Sequence, residues 1–247
     1  MCRVYIDTFW RIESGIVDRL REGKRSFIIE LVHILTSAPE SPDAHEILLA
    51  IKEMDKDQGT NSRVLDVFAF EAQIRISTML LNSETIENAL AVLILVSTRS
   101  LFIRITQSEK FVEELLAAIS GYIARDNHEA SLAVRPLFAL DRKSSECFMD
   151  VINAHGDFGI VSLLEKLLSS KAVTPQDHYI VALAYVTMMN YSHQDDVDLH
   201  ALLLSYLDSV VEVEDLWAES VRALCNASRK GALCKAIIGE ECVSLPK

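Results

Sequence analysis

Four strongly apolar helical segments recur along the chain, and they constrain its fold more than any other feature. "ALAVLILVSTRS" begins at 89, "SLAVRPLFALDR" at 131, "ALAYVTMMNYSH" at 182 and "AESVRALCNASR" at 218. The starts are separated by 42, 51 and 36 residues, a mean of 43. One or two amphipathic helices and a capped turn precede each of them. A helix apolar on every face must be covered on several sides. Recurrence at this spacing therefore reads as stacked helical repeats, each of two or three helices. A single long bundle is the competing architecture, but bundles favour longer, evenly matched helices.

The intervening segments carry helical periodicity as well. Phe27, Ile28, Leu31, Val32 and Leu35 form an i, i+3/i+4 stripe that stops before Pro39. Ser41 is placed to cap the next helix, with Pro42 at its first position. "DKDQGTNS" (55–62) reads as a loop, and a further helix is expected from about Arg63 to Leu81. Thr106 and Glu109 read as a capping box for a helix striped by Phe111, Val112, Leu115, Leu116, Ile119, Tyr122 and Ile123. Asp126 should cap the segment that follows, where Pro136 predicts a kink or break near Arg135. Shorter helices are expected over about 145–154 and 158–169, separated by Gly156 and Gly159. Thr174-Pro175 opens the helix of the third apolar segment, with Asp177 at its capping-box position. Helices near 197–210, 214–227 and 231–239 complete the reading. With only 8 Gly and 5 Pro in 247 residues, the turn punctuation of a many-stranded β fold is missing. The expectation is a single all-α helical-repeat domain over 1–247, irregular over 1–82 and clearer over 83–247. The closing "GALCKAIIGEECVSLPK" resembles the opening of a further repeat.

Composition narrows the function classes. The formal net charge of −12 repels phosphate backbones and anionic lipid surfaces, so the expectation is no nucleic acid and no membrane. "RLREGKR" (19–25) is the densest basic run and reads as a solvated helix end. The longest apolar run, "ALAVLILV", has eight residues, far short of the ~20 that span a bilayer. "MCRVYIDTFWRIES" lacks the apolar core of a secretory signal. The five cysteines are scattered with no Cys-x-x-Cys, which fits a reduced, cytoplasmic protein, the nucleus left open. In that setting the sequons Asn190-Tyr191-Ser192 and Asn226-Ala227-Ser228 carry no glycan.

Candidate chemistry is sparse. "DKDQGTNSRVLD" (55–66) has an EF-hand outline, with Asp55, Asp57, Asn61 and Asp66 at loop positions one, three, seven and twelve. Thr60 stands where the sharp turn needs glycine, and position twelve is not the bidentate Glu. "SHQDDVDLH" gathers His193, Asp195, Asp196, Asp198 and His200, but the histidines are seven apart, not the i, i+4 of a zinc helix. Acidic residues at a helix start already have a role beside its dipole. No nucleophile elbow or Gly-rich phosphate loop occurs. The expectation is therefore no enzyme, no cofactor and no metal; a helical metal-dependent enzyme is the alternative from another class.

The ends of "ALAYVTMMNYS" and "SVRALCNAS" resemble the third helix of armadillo repeats, which commonly reads Ala-Leu-x-Asn-Leu-Ser/Ala. The resemblance implies a right-handed α-solenoid of irregular armadillo/HEAT-like repeats. It also implies a concave groove whose asparagines bond the backbone of an extended partner segment, an amide offering both a donor and an acceptor. Carried over residue by residue, the groove would hold Asn190 and Asn226, with Ser97 at the matching place. Val186, Arg222 and Leu93 would lie one turn earlier. Importin-α-like import receptors have tryptophan at those three positions, and this chain does not. The irregular repeats and the "Tyr…Asn-x-Ser" ending, over about 83–230, are more similar to the UCS-domain myosin chaperones. That likeness implies a protein partner such as a myosin motor domain or a heat-shock chaperone. A nucleotide-exchange cochaperone is the second member of the class that fits. The structural alternative for the asparagines is helix capping.

Overall fold

The computed structural model of the chain describes residues 16–56, 58–82, 84–97, 100–125, 130–170 and 174–191, with 206, 207, 220, 223 and 224. Among the described residues the chain is helical and contains no strand. It divides into two compact units, Met1–Leu115 and Leu116–Lys247. The change of character read from the sequence lies earlier, at 82/83.

The first unit contains α1 (Ile16–Arg21), α2 (Arg25–Ser37), α3 (Pro42–Lys56), α4 (Gln58–Leu80), α5 (Ile86–Val96) and α6 (Ser100–Ile105). Helix α2 buries the expected stripe, Phe27, Ile28, Leu31, Val32 and Leu35, and adds Thr36. Ser41 caps α3 as expected, its Oγ accepting from the Ala44 N–H at 3.2 Å. The expected loop at 55–62 is corrected: α3 runs to Lys56 and α4 starts at Gln58. Burial of Leu65, Phe68, Ala69, Ala72 and Ile76 along α4 outweighs the weak helix preference of its first polar residues. The helical backbone on either side of Asp57 also removes the extended loop an EF-hand requires.

Helix α4 packs against α2, α3, α5 and α6. Arg25 Nε donates to Glu71 at 2.6 Å, and Arg75 Nη2 lies 3.1 Å from His33 Nδ1. Both contacts advance along α2 and α4 together, so these two helices run in the same direction. On another side of α4, Arg104 of α6 donates to the Ser62 carbonyl at 2.9 Å and to Asp66. Helix α5 is apolar on every face beyond Asn88, and it buries Ile86, Ala89, Leu90, Val92, Leu93 and Val96.

Helix α7 (Glu109–Arg125) spans the division between the units, and its expected apolar stripe is buried. Its cap is Ser108, whose Oγ accepts from the Phe111 N–H at 3.4 Å. Thr106, expected to be the cap, instead donates back to the Phe102 carbonyl at 2.8 Å and closes α6. The short helix α6 displaces the start of α7 by two residues.

The second unit continues with α8 (Ala130–Lys143), α9 (Ser145–His155), α10 (Ile160–Leu168) and α11 (Pro175–Met189). Asp126 lies outside the described residues. Helix α8 passes through Pro136 as one element, and no break occurs at Arg135. Pro136 is buried, so packing holds the turn whose hydrogen bond it cannot make. Gly156 (φ 79°, ψ −171°) occupies a region open essentially to glycine alone, and Gly159 (φ 74°) is left-handed. Between them Phe158 also has positive φ, 55°, and its carbonyl accepts from Ser120 Oγ at 2.8 Å. Asp157 closes the turn, accepting from the N–H groups of Gly159 and Val161 at 3.0 and 3.3 Å.

Helix α11 opens as the sequence predicts. Thr174 Oγ1 accepts from the Asp177 N–H at 3.2 Å and donates to the Asp177 carboxylate at 2.6 Å. Helices α8 and α11, the second and third apolar segments, pack side by side. A hydrogen bond between Ser131 and Asp177 joins their first turns, and Tyr191 Oη donates to Asp141 at 2.6 Å at their far ends. The two helices are thus parallel neighbours. The helices expected over 197–210, 214–227 and 231–239 lie outside the described residues except for 206, 207, 220, 223 and 224, all helical.

Candidate binding surface

The residues expected to line a groove fall into three groups. Asn190 is the C-terminal cap of α11, half-buried, and its backbone N–H donates to the Val186 carbonyl at 3.2 Å. Its φ of −62° is right-handed, so it closes α11 without the left-handed turn that favours asparagine. Ser97 ends α5 in the same way, its hydroxyl donating to the Ile94 carbonyl at 2.7 Å. Both residues therefore already help to close helix ends.

Val186 and Leu93 form the second group. Their exposures are 1% and 0%, and their side chains pack in the helical interior. On helices that are apolar all round, the face one turn before the terminal residue is covered by neighbours. Arg222 and Asn226 form the third group and lie outside the described residues, as does "SHQDDVDLH".

Sequence reasoning missed the polar contacts that position Asn190. Tyr191, 4% exposed, stacks at 4.6 Å and 49° on Phe148 of α9 while its hydroxyl holds Asp141 of α8. Tyr185 Oη donates to Glu165 of α10 at 2.9 Å. Tyrosine suits these sites because its ring buries while its hydroxyl reaches a carboxylate at the edge. The available signal was a tyrosine just past one apolar helix and an acid near the end of the preceding one, 50 residues earlier.

Electrostatics in this unit serve the same contacts. The hydroxyls of Ser131 and Thr174 hold the Asp177 carboxyl below the usual aspartate range. Burial pushes the Tyr206 phenol up to about 12, partly offset by Ser220, whose Oγ lies 2.9 Å from the phenol oxygen. His178 presents its ring edge-on to Tyr206, with centroids 6.4 Å apart. Its Nε2 lies 3.2 Å from the Leu167 carbonyl, an acceptor, which assigns the proton to Nε2. Among the described residues, no group of three or more His, Cys, Asp or Glu side chains is arranged to hold a metal ion. Cys147 is half-buried. No described helix is long and apolar enough to cross a membrane.

No family model, curated protein or solved structure matches the chain. What the described residues offer is parallel helices tied by polar contacts, with polar residues presented at helix termini. Such an arrangement can display a surface.

Proposed function

We propose that the chain is a non-enzymatic protein-binding scaffold or chaperone adaptor, built from irregular armadillo/HEAT-like repeats of a right-handed α-solenoid. The observation that carries this reading is the parallel pairing of α8 with α11. In an armadillo array, successive third helices lie side by side in the same direction. The Ser131–Asp177 and Tyr191–Asp141 bonds join two apolar helices in that relation. In the first unit, the contacts of Arg25 with Glu71 and His33 with Arg75 join α2 to α4 at separations of 46 and 42. Arg104 reaches Ser62 and Asp66 at 42 and 38. Helical repeats of the low forties produce just such separations when equivalent positions touch.

The groove in this reading is carried by Asn190, Asn226, Arg222 and Ser97, with Val186 and Leu93 supporting it from the interior. Its partner is an extended segment of another protein. A UCS-like cochaperone for a myosin motor domain is the specific form we favour; a nucleotide-exchange cochaperone of a heat-shock chaperone is the other. Both act in the cytoplasm.

The test is affinity capture from cell extract with the wild-type chain, Asn190→Ala, Asn226→Ala and the double variant, each first checked for an unchanged thermal transition. The expected result is a partner lost progressively with the amides. Unchanged recovery from the double variant would count against the groove. Stoichiometric zinc or calcium in the purified protein would sink the pure-scaffold reading.

A further inference from the structure

The first unit carries an apolar face that the asparagine groove does not use. Along α4 the outward stripe is Arg63, Phe70 and Ile74, continued just past the helix end by Leu81. Phe70 is 57% exposed, Ile74 49% and Leu81 74%, although isoleucine and phenylalanine on ordinary helices turn inward. Helix α2 adds Ile29, 46% exposed. Arg25 and His33, one turn to either side of Ile29, are the α2 residues that reach Glu71 and Arg75. These two bonds set Ile29 beside the stretch of α4 that presents Phe70 and Ile74. The other sides of α4 are occupied by α1, α2, α3, α5 and α6, which leaves this stripe as its open face among the described residues.

The charges around the stripe are asymmetric. Glu71 and Asp66, the acids of this part of α4, are each taken by an arginine, Arg25 and Arg104. Arg75 has only the His33 imidazole, and an Nδ1 that accepts from a guanidinium is a neutral lone pair. Its positive charge is therefore not matched. Arg63 forms no ion pair among the described residues either, and it lies two turns from Phe70 on the same stripe. The face thus joins exposed apolar side chains to two unmatched guanidiniums, inside a chain whose net charge is −12. Screening confines charge effects to ~8 Å at physiological salt, so local guanidiniums and not the distant net charge select what docks here.

We propose that this face of α2 and α4 docks an amphipathic helix of a protein partner, with Asp or Glu flanking its apolar stripe. Residues four apart, such as Phe70 and Ile74, form a ridge that meshes with an i, i+3/i+4 apolar stripe on a facing helix. Carboxylates beside that stripe would complete the bidentate pairing that Arg63 and Arg75 lack. The inference rests on the protein-binding class proposed above, but not on its groove, and it names a second and separate surface.

The test uses the full chain and a fluorescent synthetic helix of about five turns, with leucines at i, i+3/i+4 spacing flanked by glutamates. Its twin carries lysine in place of every glutamate. Fluorescence anisotropy should show the acidic peptide binding at least tenfold more tightly than the basic one. Arg75→Glu with Arg63→Glu should erase or invert that preference, and Ile74→Glu should abolish binding by either peptide. Arg63 and Ile74 are exposed and make no polar contact between helices among the described residues, so their variants should leave the thermal transition in place. Arg75→Glu gives up the His33 contact, so its affinity is read beside that of His33→Ala, which loses the same contact and keeps the charge. Asn190→Ala should leave the peptide affinity unchanged while reducing capture of the groove partner. Equal affinity for the two peptides, no saturable binding of the acidic one, or indifference to the arginine reversals would overturn the proposal and leave the groove reading standing. A concentration-dependent dimer in sedimentation that Ile74→Glu dissolves would also overturn it, assigning the face to a second copy of the chain.

Discussion

Replacing Tyr191 by phenylalanine tests whether α8 and α11 are parallel neighbours in solution. The ring of Tyr191 stays against Phe148, so the change removes the hydroxyl and with it the 2.6 Å hydrogen bond to Asp141. A hydrogen bond to a charged acceptor contributes about 1.5–3 kcal/mol when the site is dry. Asp141 is half-buried and makes a further interaction, so water and that partner compensate part of the loss. The expected cost is therefore near the lower end, about 1–1.5 kcal/mol. Tyr191→Ala also empties the buried ring site and should cost about 3–5 kcal/mol. The decisive number is the coupling in a cycle of Tyr191→Phe, Asp141→Ala and the double variant, read from urea midpoints at constant m-value. Because the chain divides into two compact units, the cycle should be followed through hydrogen exchange of α8 and α11 amides as well. A coupling of about 1 kcal/mol is expected. Additive single effects, with coupling below about 0.3 kcal/mol, would refute the contact and with it the parallel pairing on which the repeat reading stands.

Other perturbations probe the remaining parts. Thr174→Ala removes both capping contacts of α11 and should cost about 1 kcal/mol in a denaturation curve. Because the folded Asp177 carboxyl is held below its ordinary value of 3.8, its contribution is full above that value and fades as pH falls through the folded pKa. Asp177→Asn should flatten this acid limb, and an unchanged limb would argue against the Ser131 and Thr174 bonds. Tyr206 has the opposite sign: with its phenol raised to about 12, stability is intact below the ordinary value of 10.0 and falls as pH climbs between the two. Absorbance of ionised tyrosine, compared with Tyr206→Phe, checks this. Gly156→Ala, at φ 79°, should destabilise by about 1–3 kcal/mol. Gly121→Ala, at an exposed position of α7 with nothing near its missing Cβ, should stabilise by up to ~1 kcal/mol in thermal melts.

Local chemistry was legible where a residue acts on its own helix. The α2 stripe, the Ser41 cap and the Thr174–Asp177 box depend on neighbours within four positions, and all were readable from spacing alone. Failures occurred where tertiary packing outweighed a local preference. Gln58 to Asn61 have the composition of a loop, yet they begin α4 because the apolar residues that follow are buried. Pro136 lacks a helical donor, yet α8 runs on because buried neighbours hold it. For the candidate surface, the terminal positions of Asn190 and Ser97 were legible, but the burial of Val186 and Leu93 was not. Periodicity cannot distinguish a covered face from an open one when every face is apolar.

The polar contacts that join distant helices give the repeat reading its physical content. An apolar helix can slide along another apolar helix at small cost, because dispersion is weakly directional. Hydrogen bonds at Arg25–Glu71, Arg75–His33, Arg104–Ser62 and Tyr191–Asp141 remove that freedom and set the register. Each lies at a helix face or end where water still reaches one partner, so none carries the full desolvation cost of a buried charge. The spread of their separations, 42 to 50, falls within the uneven spacing of the apolar helices themselves, 36 to 51. In a strict repeat the same residue types would recur at every junction. Here an arginine–glutamate pair, an arginine–imidazole contact and a tyrosine–aspartate bond perform the same task. On the proposed repeat reading, recurrence lies in the spacing of these contacts and not in the residues that make them, and a search for recurring motifs alone finds only the terminal asparagines.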